Sequence, residues 1–112
     1  MPIIQVEDTG AFQQAIIAAT KAGKKAFCQI SAAWCGPCQM IKDDMVVLAE
    51  DYDATYAFIY VDVDKCEGIQ EAFEVVSMPT FLIFKEAGAP LDKYGGASVD
   101  KIREFAENNK NK

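Results

Sequence analysis

The chain has 112 residues, 51% of them hydrophobic and 25% charged, enough for one core but not for two. Its net charge of −6, from 17 acidic against 11 basic residues, argues against nucleic acid and anionic membrane as partners, since both call for a basic patch. No histidine occurs, which removes Ser-His-Asp and Cys-His catalysis and the commonest metal ligand. The apolar runs are too short to span a membrane, and no basic segment precedes the first of them as a secretory signal requires. These features predict one soluble, cytoplasmic domain over residues 1–112, monomeric for want of an extra apolar face.

Ile3 to Val6 reads as a short strand, and Asp8 or Thr9 can cap a helix to about Ala22. Phe12, Ile16 and Ala19 form its inner face, and Gly23 ends it. Lys25 to Ser31 is an apolar run of strand length leading into a cysteine pair. From Cys35 the pattern turns helical, with Ile41, Met45, Leu48, Ala49 and Tyr52 recurring at three- and four-residue steps. Ala57 to Val63 is dense enough in β-branched and aromatic residues for a central strand. Ile69 and Phe73 mark a short helix that Asp64 could cap. Thr80 to Phe84 and Leu91 to Tyr94 suit an antiparallel hairpin across Gly88 and Pro90. Ser98 caps a last helix with Val99, Ile102, Phe105 and Ala106 inward, and Asn108 to Lys112 reads as a frayed tail. The order βαβαβαββα implies an α/β fold. The strands at 25–31 and 57–63 are parallel through a right-handed crossover, in a mixed sheet between helices.

Trp34-Cys35-Gly36-Pro37-Cys38 falls between a strand end and a helix start. Three residues apart in a first helical turn, the two sulfurs share a face and can reach bonding distance. The unpaired amides of a helix start favour a thiolate at Cys35, and Pro37 fits the first turn, where its missing N–H is not needed. Such a pair can exchange disulfides: Cys35 attacks, and Cys38 resolves the mixed disulfide. A zinc knuckle is the competing reading. It needs four closely placed ligands, whereas Cys28 lies within a strand and Cys66 beyond the next one.

The five residues from Trp34 to Cys38, with Ser31-Ala32-Ala33, Val61-Asp62-Val63-Asp64, Met78-Pro79-Thr80-Phe81 and Gly96-Ala97, resemble the cytosolic thioredoxins of eukaryotes over about residues 3–107. The resemblance implies a five-stranded mixed sheet ordered 1-3-2-4-5 flanked by four helices. It implies a protein-disulfide reductase with no bound cofactor or metal, whose active group is a Cys35–Cys38 redox disulfide. Thioredoxin reductase and ultimately NADPH would supply electrons, and disulfide-containing proteins such as peroxiredoxins would receive them. Pro79 would be cis, with Met78 offering backbone groups to an extended substrate segment. Trp34, Gly36, Pro37, Met78, Pro79 and Gly96 would be substrate-contact residues.

Two positions depart from the family pattern. Gln29 stands where a buried aspartate usually helps move the proton of the resolving thiol, and a glutamine cannot titrate. Tyr60 is expected beside it across the sheet, yet a tyrosine is a poor base near neutral pH. Asp43 stands where proline usually kinks the helix, so a straighter helix is expected. Cys28 reads as an inert core thiol. Cys66 is a candidate regulatory thiol, with packing as the plainer reading. Asp62, Asp64, Glu67, Glu71 and Glu74 read as solvated faces. Two alternatives to a general reductase remain: a specialised disulfide oxidant or isomerase, and a binding or chaperone subunit.

Overall fold

The computed structural model describes residues 3–112. Its elements are β1 (Ile3–Val6), α1 (Thr9–Lys21), β2 (Lys25–Ser31), α2 (Gly36–Met40), α3 (Lys42–Asp51), β3 (Tyr56–Asp62), α4 (Ile69–Ala72), β4 (Thr80–Phe84), β5 (Asp92–Gly95) and α5 (Val99–Asn109). The strands form one mixed sheet ordered β1-β3-β2-β4-β5. β3 runs parallel to both β1 and β2, whereas β4 runs antiparallel to β2 and β5.

Alternation along β2 divides the core. Ala26, Cys28 and Ile30 pack toward α1 and α4 with Phe12, Ile16 and Ile69. Phe27 points the other way, into a cluster with Met45, Leu48, Ile102 and Phe105 of α3 and α5. Its ring meets four others: Phe58 stacked at 4.8 Å, then Tyr56, Phe81 and Phe105 at 5.3–5.8 Å. Such aromatic packing adds to plain area burial. The inner faces expected for α1, α3 and α5 are largely the buried ones, although Tyr52 and Val99 are only partly covered.

Three expectations fail for identifiable reasons. The helix after Cys35 is interrupted rather than straighter, giving five helices in place of four. Ile41, at φ −96° and ψ 2°, ends α2 and opens α3 without any proline. Ile41 is buried in the Phe27 cluster while Cys38 one turn earlier packs with Ala32 and Cys35, so packing sets the break. Asp64 does not cap α4, which starts at Gly68 in the left-handed region (φ 84°) without a side-chain cap. The carboxyl end is not frayed: Asn109 is buried, its side-chain amide donating to Asp92 and to the Phe105 carbonyl at 2.9 Å. Lys25 and Lys85 donate to the carbonyls of Lys110 and Lys112, tying the last residues to the sheet.

Candidate active site

Residues 32–34 carry the chain from β2 to Cys35, the N-cap of α2. There the Cys35 backbone is extended, and its Sγ accepts a hydrogen bond from the Cys38 N–H at 3.2 Å. Cys35 and Cys38 are joined in a disulfide with a Cα–Cα distance of 5.3 Å, within the range such a bond requires. When the bond is reduced, that amide and the helix start favour negative charge on Cys35. Gly36 and Pro37 are exposed, and Pro37 takes a first-turn position where no N–H is needed. Of the two sulfur residues, Cys35 is the more exposed, at 6% against 2%.

Across from the pair, the Met78–Pro79 peptide bond is cis, and the Met78 carbonyl oxygen lies 3.7 Å from Cys35 Sγ. The Pro79 carbonyl accepts from the Gly96 N–H at 3.0 Å, joining the start of β4 to the end of β5. Gly96 has φ +147°, and a Cβ there would fall 2.7 Å from the Tyr94 hydroxyl, so a side chain does not fit. Trp34 is 68% exposed, and its indole N–H donates to Asp64 Oδ2 at 3.0 Å. Asp62 in turn accepts the Asp64 backbone N–H at 2.9 Å. Two of the acidic residues read as solvated are thus engaged in holding Trp34. The contact crosses 30 residues of chain and leaves no trace in local spacing. Val76, also overlooked in the sequence, is a fully exposed valine two residues before Met78.

Gln29 lies inside on the Phe27 face, buried, with its amide donating to Ser31 Oγ at 2.9 Å. Its parallel partner on β3 is Tyr60, as expected, and its antiparallel partner on β4 is Phe81. Burial, then the Asp62 carboxylate, push the Tyr60 phenol up, with hydrogen bonds to Gln39 and Ser31 opposing. Gln29, Tyr60, Cys38, Gln39 and Lys42 border one cavity of about 380 Å³. Gln39 and Lys42 carry no local signal for this place, since they flank the break at Ile41 between α2 and α3.

The two remaining thiols lie apart from the site. Cys28 is fully buried in the α1 layer, and burial pushes its thiol up. Cys66 belongs to the same layer, its sulfur 3.9 Å from the Val6 carbonyl. Burial first, then the charges of Asp8, Asp62 and Glu7, push that thiol up as well. Among the described residues, no three His, Cys, Asp or Glu side chains cluster as metal ligands, and no helix is long and apolar enough to cross a membrane.

Comparison with known proteins agrees with this arrangement. The thioredoxin family model matches residues 3–108. Thioredoxin of Equus caballus is 41% identical over 99 residues, covering 88% of this chain and 90% of the relative. Thioredoxin of Homo sapiens is 41% identical over 98 residues with the same coverage. Among solved structures, a poplar thioredoxin h superposes with a TM-score of 0.88 at 26% identity, covering 96% of both chains. The germline-specific thioredoxin Deadhead of Drosophila melanogaster gives 0.83 at 28% identity, covering 94% of this chain and 97% of its own. A strand–helix dithiol on this sheet, matched over most of the chain by such relatives, makes the chain a thiol–disulfide oxidoreductase that belongs to the thioredoxin family.

Proposed function

We propose that the chain, as one domain over residues 1–112, is a general protein-disulfide reductase in which Cys35 is the nucleophile and Cys38 the resolving thiol. The observation that carries this reading is the Cys38 amide directed at Cys35 Sγ at 3.2 Å, which favours the thiolate where the sulfur is most accessible. Cys35 thiolate attacks one sulfur of a substrate disulfide, and the other sulfur leaves with its electron pair and takes up a proton. Cys38 then attacks Cys35 Sγ, the substrate departs with its second thiol, and the Cys35–Cys38 disulfide closes. Two electrons have passed to the substrate. An extended substrate segment lies along the Met78 backbone beside Pro79, Trp34 and Gly96, with Gly36 and Pro37 exposed next to the reacting sulfur.

Thioredoxin reductase, fed by NADPH, returns the electrons, and disulfide-containing proteins such as peroxiredoxins accept them. The protein works as a monomer in the cytoplasm with no bound cofactor. The test is NADPH oxidation with thioredoxin reductase and insulin, using Cys35→Ser as control. Turnover that vanishes in the variant supports the reading; no turnover by the intact protein, or turnover that survives the variant, overturns it. A specialised disulfide oxidant or isomerase is the second reading, favoured by the buried neutral Gln29, and a high reduction potential would select it.

A further inference from the structure

Gln5 on β1, Tyr60 on β3 and Gln29 on β2 are successive register partners, so they form one polar row across the sheet. That row is the floor of the 380 Å³ cavity, and Lys42 and Val46 of α3 stand along its other side. Cys38 borders the same space, whose volume has room for several water molecules. Val46 is 41% exposed, which puts this edge of the cavity at the protein surface.

None of the groups facing Cys38 there can take its proton near neutral pH. Gln5 of β1 and Gln29 of β2 are amides, and besides Cys38 itself α2 contributes only Gln39. Tyr60 of β3 keeps its own proton, because burial and Asp62, next on the same face, push the phenol up. Lys42 of α3 is a lysine, a residue type whose ordinary cationic form has donors and no lone pair. The cavity nevertheless reaches from Val46 at the surface to Cys38, which is itself buried.

We propose that this cavity is where the resolving step loses its proton: a small base from solution enters beside Gln29 and deprotonates Cys38. The inference rests on Cys38 being the resolving thiol. The base accepts the proton from Cys38 Sγ and leaves as its conjugate acid. The thiolate electron pair then forms the bond to Cys35 Sγ, the bond from Cys35 to the substrate sulfur breaks, and that sulfur departs with its pair and is protonated. Access of an external base thereby takes the place of a built-in carboxylate.

The test mixes the reduced protein with an aromatic disulfide that releases coloured thionitrobenzoate. The first burst of colour reports Cys35 attack, and the second reports resolution by Cys38. At fixed pH and ionic strength, imidazole is expected to raise the second rate in proportion to its concentration. A morpholine sulfonate buffer of similar basicity, bulkier than imidazole and tied to an anionic sulfonate, should do so at least about threefold less steeply; unaided general-base catalysis in solution would show no such difference. Val46→Phe, a substitution at the surface edge, should leave the first burst unchanged and flatten the imidazole dependence. Gln29→Asp should raise the imidazole-free second rate by about tenfold or more, within the usual reach of an internal general base. A second rate indifferent to imidazole, or equally steep with both buffers and in Val46→Phe, overturns the inference while the first burst keeps the dithiol reading intact. Absence of both bursts overturns the dithiol reading and this inference with it.

Discussion

The Trp34 indole N–H and the Asp64 carboxylate are joined at 3.0 Å on the exposed rim beside Cys35, so the orientation of one large apolar surface rests on one polar contact. Asp64→Ala should release the ring. A hydrogen bond to a charged group contributes on the order of 1 kcal/mol net, less where exposed, so KM for a protein disulfide should rise about two- to fivefold with kcat nearly unchanged. Trp34 is the chain's one tryptophan, so the anisotropy of its fluorescence reads the loosening directly. A variant with unchanged anisotropy and KM would show that the rim holds its shape by packing alone.

Replacing Gln29 by aspartate should make stability depend on pH where it now does not. Burial raises a carboxyl's folded pKa above its unfolded value near 4, so the variant should match the parent in acid and lose stability as pH rises toward its folded pKa. Each unit of elevation is about 1.4 kcal/mol. Melting temperatures of the two proteins at acid and mildly alkaline pH should therefore diverge. Parallel curves would mean that the site, where Ser31 contacts residue 29, already accommodates a charge.

Cys28 and Cys66 should resist alkylation in the folded, reduced protein while Cys35 reacts quickly. Both thiols are pushed up, Cys28 by burial and Cys66 by burial and its acidic neighbours. Their neutral forms therefore stabilise the fold fully below the unfolded thiol pKa of about 8.5, and that contribution is lost as pH climbs through the folded values. Iodoacetamide labelling read by mass spectrometry should find these two cysteines modified only in denaturant. Rapid native labelling of Cys66 would instead support its role as a regulatory thiol.

Phe27→Ala should be among the most damaging single changes, because the ring is buried and meets four aromatic neighbours from β3, β4 and α5. Phe-to-Ala truncations in cores cost about 3–5 kcal/mol, a large share of the stability of a domain this size. Urea unfolding should show the loss as a lowered midpoint with an unchanged slope. A loss under about 1 kcal/mol would mean the surrounding rings collapse to fill the space.

Short-range physics made much of this protein legible. Asp8, Gly23 and Ser98 act at helix ends as their chemistry demands, the Asp8 and Ser98 side chains accepting from Ala11 and Lys101 backbone amides and Gly23 taking φ 77°. The Cys35-x-x-Cys38 spacing, with proline in the first turn, carried the site. What escaped depends on contacts between distant segments. The break at Ile41 follows from two different packing demands one turn apart, and no residue type announces it. Asn109 looked like tail because its partner, Asp92, lies in another element. Asp64 looked like a cap because its partner lies 30 residues away.

Gln29 also has an electrochemical consequence. With an amide in that buried position and no histidine in the chain, the interior beside the dithiol holds, among the described residues, no side chain whose ordinary ionisation falls between mildly acid and mildly alkaline pH. Reduction of the Cys35–Cys38 bond then takes up two protons with its two electrons and no others. The midpoint potential should fall by about 59 mV per pH unit, on one straight line until Cys35 itself ionises. A buried carboxylate whose pKa changed on reduction would bend that line. This protein should behave as a plain two-proton couple.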